Sequence, residues 1–142
     1  MYQYGLMNLN LVGDLLLVQY VIQKYILVNM KYICITIPKR IKWEDYEKEL
    51  KAVEDESQEM NYKLPTCPKD VKVGDRCYIC HNGLIKGWMK ISNIGNKDKF
   101  NCTTTGIEWG DGCYISRTGK FNYLDNPIPM KGFMGYKYIN IE

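Results

Sequence analysis

The sequence predicts an α+β domain on three observations. Short β-rich segments recur about every ten residues through its second half, an amphipathic helical stretch lies near the start, and turn signals containing Gly separate the strands. The strands are expected to be mostly antiparallel and to curl into a small barrel flanked by one or two helices, because closure removes exposed strand edges. A barrel of that kind leaves a groove beside the helix where a ligand can sit.

The chain opens with an apolar stretch in which Leu11, Leu15, Val18, Ile22, Tyr25 and Ile26 recur at helical spacing. Asp14, Gln19, Gln23 and Lys24 interrupt it. A membrane span needs about 20 consecutive apolar residues, so a packed or loosely attached helix is expected and no membrane span. Met30-Lys31 has the look of a start, which makes 1–29 an N-terminal apolar helical extension, with a translated upstream segment as the alternative. The functional domain is then 30–142.

From Tyr32 to Ile37 the β-branched residues predict a strand, closed by Pro38, which cannot donate to a ladder. Residues 43–53 read as a helix, with Trp43, Tyr46, Glu47, Leu50 and Val53 three or four apart and acids on the remaining face. Residues 54–63 read as a mobile polar connection. Beyond them 76–80 and 84–91 are strands, and the intervening His81-Asn82-Gly83 predicts a tight hairpin, since Asn-Gly accepts positive φ. Residues 93–97 are read as a turn, 99–105 as a strand, 109–112 as a turn and 113–117 as a strand. Thr118-Gly119-Lys120 reads as a second hairpin, and 121–124 and 135–139 as the last strands.

Composition bounds the function. With 142 residues and a net charge of +3 the chain has room for one domain with a real core. Its charge is uneven: residues 44–59 carry eight acids against two lysines, whereas 64–142 carry nine lysines and two arginines against seven acids. An acidic helix beside a mildly basic body reads either as ordinary solvated surface or as leaving a positive face for an anionic partner. Six cysteines without a secretory leader are read as reduced thiols in the cytoplasm. Cys77 and Cys80 fall on opposite strand faces and would diverge rather than chelate, so no metal and no cofactor is expected. Cys34, Cys102 and Cys113 read as small buried hydrophobes.

The segment Val73-Gly-Asp-Arg-Cys-Tyr-Ile-Cys-His-Asn-Gly-Leu-Ile-Lys-Gly-Trp-Met-Lys-Ile resembles the hairpin of the PUA-like superfamily, the pseudobarrel class that includes the ASCH and EVE domains. The likeness is close only over 73–91. It implies a PUA-like β-barrel and binding of RNA or a modified nucleobase. The Gly-x-Lys-x-x-Glu-x-Arg signature of the ASCH group has no counterpart, so no catalytic residue is carried over. Residues 131–138, Lys-Gly-Phe-Met-Gly-Tyr-Lys-Tyr, are also similar to an RNA-recognition signature, but the extra Met134 puts Phe133 and Tyr136 on opposite faces.

Nucleophilic and nucleotide-triphosphate chemistry find no motif: His81 stands alone beside a turn and reads as a surface residue, and no Gly-rich loop opens a helix. The stacking candidates are Trp88, Trp109, Phe133 and Tyr136. The anion or base-edge candidates are Arg76, Arg117, Lys86 and Lys131. Thr103, Thr104 and Thr105 are hydroxyls that suit a polar pocket. These residues point to a non-catalytic binding domain for RNA or DNA, with a modified base as one form of the ligand. The alternatives are a protein–protein interaction module of phage or mobile-element type, whose Tyr-rich surface meets a protein partner, and an enzyme acting on a nucleobase.

Overall fold

The computed structural model describes residues 13–22, 32–102 and 106–141. The chain divides into two compact units, Tyr32–Ile139 and a second made of Met1–Lys31 with Asn140–Glu142. In the second unit residues 13–22 form a helix, α1, in which Leu15, Leu16, Leu17, Val18, Tyr20, Val21 and Ile22 are each more than half exposed. Among the described residues no helix is long and apolar enough to cross a membrane.

The larger unit is α+β. Its elements run β1 (Tyr32–Ile37), α2 (Trp43–Asp55), β2 (Glu59–Leu64), β3 (Arg76–His81), β4 (Leu84–Lys97), β5 (Phe100–Asn101), β6 (Glu108–Trp109), β7 (Gly112–Pro129) and β8 (Tyr136–Ile139). Six strands form one sheet in the order β2-β7-β4-β3-β1-β8, and β5 and β6 form a separate two-stranded ladder. All pairs of the large sheet are antiparallel except β1 with β3.

The predicted β3–β4 hairpin is present, and Asn82 (φ 51°) and Gly83 (φ 80°) take the two positive φ values that the Asn-Gly turn requires. The curl of the sheet comes from β4 and β7, which are 14 and 18 residues long. Register shifts at Ile85/Gly87, Trp88/Lys90 and Ile91/Asn93 bend them, as bulges do. The two edge regions thereby approach each other. Tyr62 Oη on β2 donates to the Thr36 carbonyl on β1 at 3.1 Å, and Thr66 Oγ1 lies 3.4 Å from Tyr136 Oη on β8.

Helix α2 covers the inner face. Tyr46, Leu50 and Val53 are buried against Ile33, Ile35, Ile79, Met89, Ile91 and Ile115, while Glu44, Glu47 and Glu54 are exposed. Glu44 and Asp45 in its first turn complement the helix dipole. Ser57 at φ 52° ends it.

Five expectations are corrected. Within the supposed mobile connection lies strand β2, in which Met60, Tyr62 and Leu64 pack on the core and alternate strictly with Glu59, Asn61 and Lys63, a period-two pattern that the polar composition of 54–63 outweighed in the sequence reading. The turn at 93–97 and the hairpin at 118–120 are both interior to long strands: Gly95 stays in regular register opposite Tyr114, and Gly119 falls on β7 in the shift between Trp88 and Lys90, where the strand bends rather than reverses. His81 is buried, its Nε2 donating to the Ile41 carbonyl at 2.7 Å. Cys113 is joined to Cys67 in a disulfide, so the reading of all six cysteines as reduced does not hold, and it no longer argues for the cytoplasm.

Candidate nucleic-acid interface

The face of the sheet opposite α2 carries two cross-strand rows set by register. Arg76 on β3, Lys90 on β4, Thr118 on β7 and Glu59 on β2 form one; Cys34, Tyr78, Trp88 and Asn122 form the next. Within these rows Tyr78 and Cys34 are buried, Trp88 is half-buried, and Arg76 and Lys90 are exposed. The Arg76 guanidinium lies 4.2 Å from the centroid of the Trp88 ring and 5.8 Å from that of Tyr32. One of its nitrogens donates to Tyr78 Oη at 3.2 Å, and Tyr78 packs on Tyr32 with ring centroids 5.3 Å apart. An arginine held over an indole keeps the rest of its fixed donor fork free for an outside acceptor. Among the described residues no carboxylate is in ion-pair contact with it.

Two sequence-predicted residues, Arg76 and Trp88, are therefore brought together. The remaining six are not. Lys86 lies near the other end of the β3–β4 hairpin with its ammonium 4.4 Å from the centroid of Trp43, which also packs on Tyr46, His81, Phe121 and Tyr123. Trp109 is stacked on Phe100 (6.2 Å, 8°) and set edge-on to Tyr114, which makes it a member of a small aromatic core under the β5–β6 ladder. Phe133 is half-buried after β7, and Tyr136 packs against Tyr138 on the inner side of β8. Lys131 is exposed beside the β3–β4 turn. The hydroxyls of 103–105 lie outside the described residues.

Arg117 is a correction. It is 2% exposed and donates to Tyr46 Oη at 2.9 Å beneath α2, where no phosphate can reach it. Its Nε has no hydrogen-bond partner. The alternation of β7 places residue 117 on the same face as Ile115, which sequence periodicity states, but its charge masks the inward orientation.

The buried free cysteines, Cys34, Cys77 and Cys80, are poor nucleophiles. Burial pushes Cys77 up to about 11 and also raises Cys34 and Cys80 above the ordinary thiol range. No cluster of three or more His, Cys, Asp or Glu residues gathers among the described residues. Sequence reasoning missed Tyr32, Tyr78 and Lys90 as companions of Arg76. The period-two alternation of β3 already puts Tyr78 beside Arg76, but only the parallel pairing with β1 brings Tyr32 there.

Comparison with protein-family models, curated proteins and solved structures returns no match for this chain.

Proposed function

We propose that the chain is a non-catalytic binding domain for single-stranded nucleic acid, including strands that carry a modified nucleobase, and that it binds through the Arg76–Trp88 face. The observation that carries this reading is the exposed Arg76 guanidinium stacked 4.2 Å over Trp88, with Lys90 next to it in the same cross-strand row. The exposed guanidinium can stack on a base or pair with a phosphate or a guanine edge, the half-buried indole beneath it holds it in place, and the lysine adds backbone attraction. In this reading the curled sheet is a barrel of the PUA-like kind. The β3–β4 hairpin and the Tyr62 to Thr36 hydrogen bond between the edge regions support it.

Titration of short single-stranded RNA and DNA at two salt concentrations tests the proposal. Trp88→Ala lowers affinity by about 1–3 kcal/mol at either salt, since stacking releases no counterions. Arg76→Ala also flattens the salt dependence, by a slope of about one. Absence of binding to both polymers and to modified nucleosides would sink the proposal and leave a protein partner as the better reading.

A further inference from the structure

The one parallel pair in the sheet, β1 and β3, sets two carboxyl strand ends side by side, with Ile37 opposite His81. Crevices outside such ends are where open sheets with parallel strands receive ligands, because the chain leaves the two strands by different routes. Here β1 runs on into the loop before α2, while β3 turns back through Asn82 and Gly83. Between those two exits and the segment after β7 lies a cavity of about 280 Å³, whose lining includes Thr36, Lys39, Asn82, Gly83, Lys131 and Gly132.

The walls are tied together. Met130 N donates to the Gly83 carbonyl at 2.9 Å, and the Cys80 thiol donates to the Met130 carbonyl at 3.6 Å, which holds Lys131 and Gly132 against the hairpin turn. Lys39 faces the cavity from one wall and Lys131 from another, and no Asp or Glu lines it. Two further cations, Arg40 and Lys42, follow Lys39 in sequence. Among the described residues neither Lys39 nor Lys131 has an ion pair or a hydrogen bond from its ammonium group. Two ammonium groups beside one cavity repel each other, and an anion between them turns that repulsion into two attractions. Asn82 adds an amide donor, and Gly83 and Gly132 leave the backbone approachable.

We propose that this cavity binds a phosphate-class oxyanion, either orthophosphate or the phosphate of a monoester. Its 280 Å³ falls just below the roughly 300–1,000 Å³ of pockets that enclose drug-sized ligands, so it has room for the charged group together with a small ester substituent. The site is independent of the Arg76–Trp88 face, since Arg76 and His81 are opposite ends of a six-residue strand, roughly 17–20 Å apart.

The test is a titration of the full chain with sodium phosphate and, separately, with a nucleoside monophosphate, at ionic strength held constant with sodium chloride. The readout is the backbone amide resonances of Asn82, Gly83 and Gly132. Saturable shifts at these amides are expected, and Lys39→Ala or Lys131→Ala should each weaken binding by about tenfold. Gly132→Val keeps both charges but sets a branched side chain on the cavity wall, where a Cβ would lie 3.7 Å from Thr36 Cγ2. It should also abolish saturation, with the thermal midpoint unchanged. If an alanine variant unfolds, Lys39→Gln and Lys131→Gln serve in its place. Tighter binding of the nucleotide than of orthophosphate identifies a monoester site, and equal binding identifies an orthophosphate site. Shifts that stay linear for both anions, or a double lysine variant that binds as tightly as the parent, would overturn the proposal.

Discussion

Replacing Gly87 by Ala tests the packing of β4 against β7 at its tightest point. A Cβ at residue 87 would lie 2.3 Å from the Asn122 carbonyl oxygen and 2.7 Å from Cε1 and Cζ of Phe121. Both distances are far inside the 3.5–4.0 Å at which carbon contacts are favourable. Neither neighbour is free to yield. Asn122 is held in the ladder opposite Trp88, and the Phe121 ring is wedged edge-on against Trp43 (5.7 Å) and Tyr123 (4.7 Å). The substitution must force the central strands β4 and β7 apart or turn Phe121 out of the core. Overpacking costs about 1–3 kcal/mol, and contact with a backbone oxygen puts this site at the upper end. Alanine returns about 0.5–1 kcal/mol by restricting the unfolded chain. A net loss of about 2 kcal/mol is expected in urea unfolding with an unchanged m-value. In a Phe121→Leu background the loss should shrink but persist, because the carbonyl contact remains. A loss below about 0.5 kcal/mol would refute the close approach.

Three further outcomes follow from the same geometry. Leu50→Ala, which empties the middle of the buried face of α2, should cost about 2–5 kcal/mol, whereas exposed Glu54→Ala should stay within about 0.5 kcal/mol; thermal melts that do not separate them would count against the helix orientation. The Cys67–Cys113 bridge closes a span of 46 residues, so Cys67→Ser should destabilise by about 4 kcal/mol in the chain-entropy picture, and a thiol count finding both cysteines free after oxidative refolding would remove the effect. Partial desolvation, although the residue stays 53% exposed, and the hydrogen bond to Glu47 push Tyr123 up to about 12 from its ordinary 10. The folded state thus favours the neutral phenol, and this contribution is fully present below pH 10 and is lost as pH rises through about 12. Tyr123→Phe should flatten the alkaline decline in stability, and an unaltered profile would show that the pair is not coupled to folding.

Much of the fold was legible because local chemistry and global architecture agree in it. Tyr32–Ile37 is a β-branched run closed by proline, α2 has its apolar residues on one stripe, and Asn82-Gly83 names its own turn. Glycine misled within long strands: Gly95 and Gly119 look like reversals in one dimension, but Gly95 continues the regular β4–β7 ladder and Gly119 lies at a register shift of β7. β2 was overlooked although Met60, Tyr62 and Leu64 alternate strictly with Glu59, Asn61 and Lys63, because the segment is short and follows a run of acids that reads as a polar connection. Cys67 carried no signal of its own, since its partner lies 46 residues away and only tertiary proximity pairs them.

The candidate site was legible in residue type and not in position. Arg76 and Trp88 meet because the hairpin register brings their neighbours opposite each other, and that register follows from the turn the sequence specifies. Arg117 and Trp109 were misplaced for opposite reasons. Arginine is rarely buried without a carboxylate, yet here a tyrosine hydroxyl beneath α2 receives it. A tryptophan flanked by a glycine looks exposed, yet Phe100, its register partner on β5, supplies it with a stacking surface.

The most direct measurement for the proposed interface is the map of backbone amide shifts when a short single-stranded oligonucleotide is added to the full chain. The Arg76–Trp88 face predicts saturable changes centred on Arg76, Tyr78, Trp88, Lys90 and Asn122, which weaken when salt is raised. Shifts confined to the Phe100–Trp109 ladder, or no saturable shifts at any salt, would contradict it.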